Sequence, residues 1–403
     1  MTIQPGQPPL SGIRVLDFSR IIAGPLCTQQ LADLGAEVIK IENPITGDDT
    51  RRLSEPGFEG LSHFFLAFNR NKKSVALDIR KPEAQSVIEQ LAASCDVLVQ
   101  NFRPGVMERF GLGHEAMLER HPRLIYLSVS SYGQSGPMAS RPGFDPVLQA
   151  EFGLMSITGE ADGPPLRHPL SIIDTFTALH AVGAITAALY ARRDTGLGQH
   201  IDLALMDSAV AALGNAGLYY LCGGGQPPRA GNSHMTSTPT TLMDTQDEPI
   251  YMAVSTDKLY RQLCEDVLER PDLVEDPRFR TSGDRLANRP ELLGILRGIF
   301  TTRPRDFWLA RMRHLPAGAM RSLEQALESE EVAHRKMVTE VEHPSGHTLR
   351  LLGSPLKLSG NPIREPEAPP ALGQHTEQVL REMLGMATDE IQALQAQGII
   401  KCV

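Results

Sequence analysis

Basic charge is in deficit along this chain: 39 lysines and arginines stand against 48 aspartates and glutamates, a formal net charge of −9 over 403 residues. A general nucleic-acid binder carries the opposite balance or a basic stripe, so that class is set aside, and any polyanionic ligand must be met by local cations. The five cysteines, Cys27, Cys95, Cys222, Cys264 and Cys402, are an odd number without a C-x-x-C pair. That excludes a disulfide framework and suits a reducing compartment, so a cytoplasmic location is expected. No apolar run reaches the roughly 20 residues of a membrane span, and Thr2 to Ser11 is polar and proline-rich without the basic and apolar regions of a signal peptide. No membrane association is expected.

Several chemical signatures are missing too. There is no G-x-G-x-x-G and no Walker A sequence, and Gly133-Gln134-Ser135-Gly136 is one residue short of a G-x-S-x-G nucleophile elbow. His343 and His347 have the spacing of a helical metal pair, but Pro344 and Gly346 between them favour a turn. Cys27 lies near a predicted helix start, where a thiol can be activated, although a buried core cysteine is the commoner outcome there. The basic doublets Arg51-Arg52, Lys72-Lys73 and Arg192-Arg193 read as solvated surface or as holders of a phosphorylated ligand.

What is present is an alternation of strand and helix. Ile13 to Phe18 is a short apolar run, Ala23-Gly24-Pro25 turns the chain, Leu26 to Leu34 has a helical pattern, and Glu37 to Glu42 returns to strand. Strands at Ser74 to Ile79, Asp96 to Gln100 and Leu124 to Ser130, with a helix from Pro82 to Ala93, continue it. The fold class is α/β with a mainly parallel sheet. Further on come an extended His200 to Leu203 and a helix from Met206 to about Tyr220. Gly223 to Gly231 then reads as a linker, or as a glycine loop cradling a ligand. A strand at Ile250 to Val254 and helices at Lys258 to Leu268, Arg285 to Phe300 and Pro304 to Arg313 form a smaller, helix-rich block. A hairpin at Met337 to Leu352 and helices at Thr376 to Leu384 and Asp389 to Gln397 close the chain.

The stretch with the most chemical promise is Thr158 to Asp174. Gly159, Gly163, Pro164, Pro165 and Pro169 interrupt it, and the long helical pattern of Thr175 to Arg193 follows, which places Asp174 at or near a helix N-terminus. There the unpaired N–H groups and the positive end of the dipole favour a carboxylate. Locally an aspartate in that place reads first as a cap. The small residues Ala178, Ala181, Gly183, Ala184, Ala187 and Ala188 leave the carboxylate without a bulky wall and so admit a second role.

Ordered motifs across nearly the whole chain resemble the family III CoA-transferases, the CaiB/BaiF family. They run from Leu10-Ser11-Gly12-Ile13-Arg14-Val15-Leu16-Asp17 through Ala23-Gly24-Pro25, Leu34-Gly35-Ala36-Glu37-Val38-Ile39-Lys40-Ile41-Glu42 and Gly47-Asp48-Asp49-Thr50-Arg51. Asn69-Arg70-Asn71-Lys72-Lys73-Ser74, Asn101-Phe102-Arg103-Pro104-Gly105, Thr158-Gly159-Glu160, Thr195-Gly196 with Gly198-Gln199-His200, and Leu372-Gly373 with His375-Thr376 follow in order. The resemblance implies a large Rossmann-like domain built from both chain ends, here 1–222 and 318–403, with a smaller inserted domain at 223–317. It also implies a homodimer of interlocked, ring-like chains. Coenzyme A and acyl-CoA would enter as substrates, together with a carboxylic acid, and neither a metal nor a permanently bound cofactor is implied.

By the matched motif the nucleophile is Asp174, which would form a mixed anhydride and then an aspartyl-CoA thioester. An aspartate near its ordinary pKa of about 3.9 is ionised at neutral pH and needs no helper base. The CoA contacts carried over are Ile22 and Ala23, the run Leu77, Asp78, Ile79 and Arg80, then Asn101, Phe102, Arg103 and Arg109, with Arg141 close to a family basic position. Many members have Arg where this chain has Asn43, which leaves that contact open. Arg167 and His168, just before the nucleophile, with Arg229, His234, Thr236 and Thr240, are candidates to meet a second carboxylate, and a short dicarboxylic acid is the substrate expected. Related racemases use a His and an Asp as paired bases, but here the triplet is Gly143-Phe144-Asp145, and Phe cannot accept a proton. Racemase and non-catalytic CoA binding stand as the alternatives.

Overall fold

The computed structural model describes residues 3–53 and 61–403. Thr2, the first residue of the polar N-terminal stretch, lies outside them. The chain divides into two compact units: residues 1–153, 168–214 and 331–403 form the first, and 154–167 with 215–330 the second. These borders differ from those expected at 222/223 and 317/318, and the loop that precedes the Asp174 helix joins the second unit.

The first unit is built on a seven-stranded sheet of order β12-β3-β2-β1-β4-β5-β6. Its strands are β1 (Arg14–Asp17), β2 (Glu37–Glu42), β3 (Lys72–Leu77), β4 (Val97–Gln100), β5 (Ile125–Ser130), β6 (His200–Ala204) and β12 (Ile400–Lys401). All pairs are parallel except β12 on β3. The interior strands are nearly continuous buried runs: Leu16, Ile39, Val75, Leu98 and Leu127 are all shielded from solvent. Such runs are what a parallel sheet covered on both faces requires.

Helices in this unit are α1 (Ala23–Asp33), α2 (His63–Phe68), α3 (Pro82–Ala93), α4 (Val106–Arg109), α5 (His114–Arg120), α6 (Asp145–Glu151), α7 (Ile172–Thr195) and α8 (Leu205–Ala212), followed near the C-terminus by Thr376–Leu384 and Thr388–Ala396. The 3-2-1-4-5-6 strand order puts its switch point between β1 and β4, where open α/β sheets bind ligands beyond the strand ends. The second unit has its own core, which includes Met243, Phe279, Phe300 and Trp308. It carries an antiparallel sheet, β7 (Thr240–Met243), β8 (Ile250–Ala253) and β9 (Ala317–Ala319). Two of these strands, four and three residues long, escape pattern reading. The hairpin β10 (Val338–Glu342) and β11 (Thr348–Leu352) lies in the first unit, with His343 and His347 in its turn.

Three sequence expectations need correction. The single helix Met206 to Tyr220 is broken after α8, where Gly214 takes φ +49°. The helix read as Arg285 to Phe300 is two, Ser282–Ala287 and Arg289–Phe300, because Pro290 lacks an N–H and crowds the preceding turn. And α7, at 24 residues, does have the length and apolar character to cross a membrane. Its inward side, including Ile173, Ala178, Ala181, Ile185 and Leu189, is instead buried, and the helix packs against α1, α6 and α8.

Candidate active site

The small residues expected to follow Asp174 explain the packing around it. Ala178, Ala181 and Ala188 are buried on the side of α7 that lies against its neighbours, whereas a Cβ added at Gly183 would meet open space. Asp174 is the third residue of α7, half-buried, and its carboxyl makes no hydrogen bond among the described residues.

It is not the cap. That task falls to Asp145, the first residue of α6 and 2% exposed, whose Oδ2 accepts from the N–H groups of Ile173 at 2.7 Å and Asp174 at 3.3 Å. Gln149, one turn along α6, donates to Asp145 Oδ1 at 2.6 Å and accepts from the His168 N–H at 2.9 Å. The pair holds the chain leading into α7. Burial of the Asp174 carboxyl, with the negative charge of Asp145 added, pushes its pKa up to about 7. The expectation of an aspartate fully ionised at neutral pH is therefore corrected, because the helix dipole, worth about 0.3–1 kcal/mol, is outweighed by desolvation and a like charge. Three residues on, the buried hydroxyl of Thr177 has no hydrogen-bond partner among the described residues, a feature no sequence signal flagged.

A second feature of the first unit lies at the switch point. A cavity of about 270 Å³ is lined by Phe18, Arg20, Asn43, Thr46, Phe102, Phe110 and, from the expected contacts, Leu77, Asp78, Ile79 and Arg80. Arg80 is largely exposed and forks onto Asp78 with bonds of 2.8 Å from Nε and Nη2. Asn43 lines the cavity but spends its side-chain oxygen on the N–H groups of Ile45 and Thr46, at 2.9 and 3.0 Å, so it shapes a turn.

The other expected contacts are placed differently. Ile22 and Ala23 are buried at the start of α1. Asn101 clamps the Arg20 peptide, accepting from its N–H at 2.8 Å and donating to its C=O at 2.7 Å, while the Arg20 guanidinium lies 5.0 Å from the Phe102 ring centre. Arg103 and Arg109 are exposed, close in sequence to the cavity-lining Phe102 and Val106, and neither is hydrogen-bonded through its side chain among the described residues. Arg141 stands outside the cavity lining, ion-paired to Glu151 at 2.5 Å and 5.4 Å from the Tyr132 ring centre.

Beneath the cavity runs a buried set of charges that fixes the strand ends. Lys40 Nζ meets Asp48 at 2.9 Å and donates to the Ser19 carbonyl at 2.6 Å. Lys72 Nζ meets Asp17 at 3.2 Å and donates to Asn69 Oδ1 at 2.9 Å. Burial disfavours ionised Asp17 and Asp48, yet these lysines and nearby hydroxyl and N–H donors more than offset it and hold both carboxyls below their ordinary range. Asp48 also accepts weakly from the N–H of Ile21, which sits at φ +73° just before α1. The basic doublets resolve accordingly: Arg51 forks onto Glu42, while Lys72 ion-pairs with Asp17 and Arg192 with Asp96, so one member of each is an internal tie. Cys27 is buried and its thiol is held well above its ordinary pKa by desolvation, so it is not activated.

In the second unit Arg167 is exposed, and Arg229 ties down the loop before it, donating to the Gly163 carbonyl at 2.7 Å and to that of Glu160 at 3.2 Å. His234 Nδ1 accepts from the Thr236 N–H at 3.2 Å, and Thr240 opens β7. His168 belongs to the first unit, with its ring nitrogen turned to the Leu170 N–H at 3.3 Å.

The 3-2-1-4-5-6 order of its parallel strands places the first unit in the Rossmann-like α/β class. Residues 10–376 match the family model described as CoA-transferase family III. The chain is 38% identical over 395 residues to the succinyl-CoA:glutarate CoA-transferase of Mus musculus, covering 98% of this chain and 90% of that one. It is 37% identical over 366 residues to the acetyl-CoA:oxalate CoA-transferase of Acetobacter aceti, covering 90% and 92%. A CAIB/BAIF family protein from Brucella suis superimposes with a TM-score of 0.83 at 34% identity, covering 94% of this chain and 100% of that one. The protein belongs to CoA-transferase family III and is an enzyme that exchanges CoA between acyl-CoA thioesters and carboxylic acids.

Proposed function

We propose that the protein transfers CoA to a short dicarboxylic acid through covalent intermediates on Asp174. The observation that carries this reading is the Asp174 carboxyl itself: partly accessible, free of hydrogen bonds among the described residues, and relieved of capping by Asp145. An Asp174 oxygen attacks the thioester carbonyl and CoA thiolate leaves, giving a mixed anhydride. The thiolate then attacks the Asp174 carboxyl carbon and releases the first acid, leaving an aspartyl-CoA thioester. The incoming acid reverses both steps. Thioester is exchanged for thioester, so no external energy source is required.

The switch-point cavity is assigned to the nucleotide end of CoA, with Phe18, Phe102 and Phe110 as apolar walls and Arg20 and Arg80 as cations near its edge. The dicarboxylate reading is supported by relatives named for glutarate and oxalate. Phe144 in place of a proton-accepting residue supports transfer over racemisation. The homodimer of interlocked chains and the cytoplasmic location are part of the same proposal, the latter supported by five free cysteines.

Asp174→Asn is expected to remove nearly all transfer while leaving CoA binding in place. Wild-type protein incubated with succinyl-CoA and then hydroxylamine is expected to be modified in the Asp174 peptide alone. Modification at Cys27, Glu160 or Asp145, or substantial exchange by the Asn variant, would falsify the nucleophile. Because the free carboxylate is the attacking form, kcat/KM is expected to fall as pH drops through about 7. A panel of acids tests the substrate: acceptance of neutral monocarboxylic acids only sinks the dicarboxylate reading.

A further inference from the structure

Capping a helix needs a hydrogen-bond acceptor and not a second buried charge beside a nucleophile, since Ser, Thr or Asn serve equally well. Asp145 nevertheless places a carboxylate there, 2% exposed, with Oδ2 on the N–H groups of Ile173 and Asp174 and Oδ1 on Gln149. No cation pairs with it among the described residues. We propose that Asp145 is a positioning residue whose negative charge favours the acylated over the free form of Asp174. The inference rests on Asp174 being the nucleophile, as proposed above.

The charge balance of the reaction gives the reason. When an Asp174 oxygen bonds to the thioester carbon, the carbon–sulfur bond breaks and the negative charge departs on the CoA thiolate. When that thiolate bonds to the Asp174 carboxyl carbon, the substrate acid leaves as a carboxylate and takes the charge with it. Both anhydride and enzyme thioester are neutral at Asp174. Forming either one therefore relieves the repulsion and the desolvation penalty that burden the free carboxylate, whose raised pKa reports the same strain. A more basic carboxylate is also the better nucleophile.

The other ionisable groups packed around α7 do not share this role. Asp33 of α1 is committed to Arg70, Glu151 of α6 to Tyr132 and Arg141, and Asp202 of β6 to the Gln134 N–H. His180 of α7 meets Ser208, His200 of β6 meets Ser128, and Tyr126 of β5 donates to the Leu112 carbonyl. His168 turns to the Leu170 N–H, Asp207 of α8 is exposed, and Cys27 of α1 is a neutral thiol. Asp145 is the charge that acts on Asp174.

Asp145→Asn keeps an oxygen for the two N–H groups and removes the charge. Intact-mass measurement of the enzyme thioester at fixed ratios of succinyl-CoA to succinate is expected to show its formation constant lowered about tenfold, with the acid limb of kcat/KM moved down by about one pH unit. A thioester that still forms with unchanged constant and unchanged limb overturns the proposal while leaving Asp174 as nucleophile. Absence of any thioester on wild-type protein overturns the nucleophile itself. Asp145→Glu retains the charge and displaces the cap, and its limb is expected to stay near the wild-type position. A limb that falls as far in the Glu variant as in the Asn variant marks Asp145 as a cap only and overturns the proposal.

Discussion

At Asp174 two effects pull on one proton. The α7 N-terminus favours the ionised form by about 0.3–1 kcal/mol, whereas burial and Asp145 favour the neutral form and prevail, leaving the group at about 7. The stability consequence follows from the sign of the shift. An acid whose folded pKa lies above its unfolded value of about 3.9 destabilises the fold increasingly as pH rises from about 4 to about 7, and constantly above that. Asp174→Asn escapes this term, so it is expected to be more stable than wild type by about 1–2 kcal/mol at pH 8, with the gap narrowing towards pH 4. Urea unfolding at the two pH values measures it. A residue acting as cap predicts the opposite, a loss of about 0.5–2 kcal/mol on removal, and an Asn variant weaker than wild type at pH 8 refutes the present account.

Among the elements, the start of α1 carries the tightest steric demand. A Cβ added at Gly24 would lie 2.2 Å from Ser19 Cβ and 2.5 Å from its Oγ. Ser19 cannot yield easily, since its N–H and hydroxyl both bond Asp17 Oδ1, at 2.9 and 2.5 Å, and its carbonyl takes the buried Lys40. Gly24→Ala is therefore expected to destabilise the protein by about 1–3 kcal/mol and to weaken CoA binding, because Phe18 and Arg20 flank the displaced residue and line the cavity. Denaturant titration and calorimetric CoA binding read the two effects. Wild-type values for both would show that the loop gives way without cost.

For the whole molecule the open quantity is assembly. The outward side of α7 carries Leu179 at 48% and Tyr190 at 68% exposure, and Leu218 and Leu221 of the second unit are exposed at 60% and 76%. Apolar surface of this kind favours a covered state in an obligate assembly. Sedimentation is expected to give a species of twice the 44.1 kDa chain mass, with dissociation accompanied by unfolding. A folded 44.1 kDa species independent of concentration overturns this.

Much of this was written in local sequence. The strand Glu37–Glu42, the helix Pro82–Ala93 and the helix Thr376–Leu384 agree with their patterns residue for residue, since the strand is a nearly continuous buried run and each helix buries one face. The ordered motifs carried the family, and the helix start after Pro169 located Asp174. Strands as short as Ala317–Ala319 and Ile400–Lys401 carried no signal, because two or three residues cannot establish a period and exist as strands only through their partners. The basic doublets misled for a related reason: whether Lys72 faces water or Asp17 depends on the order of the strands, which sets β1 two places along the sheet from β3. What the chain by itself determined was therefore the family, the alternation and the address of Asp174, the carboxylate proposed as nucleophile. The ionisation of Asp174 was decided by tertiary structure alone, because it depends on the burial of one carboxyl and the approach of Asp145 from 29 residues away, and local sequence encodes neither.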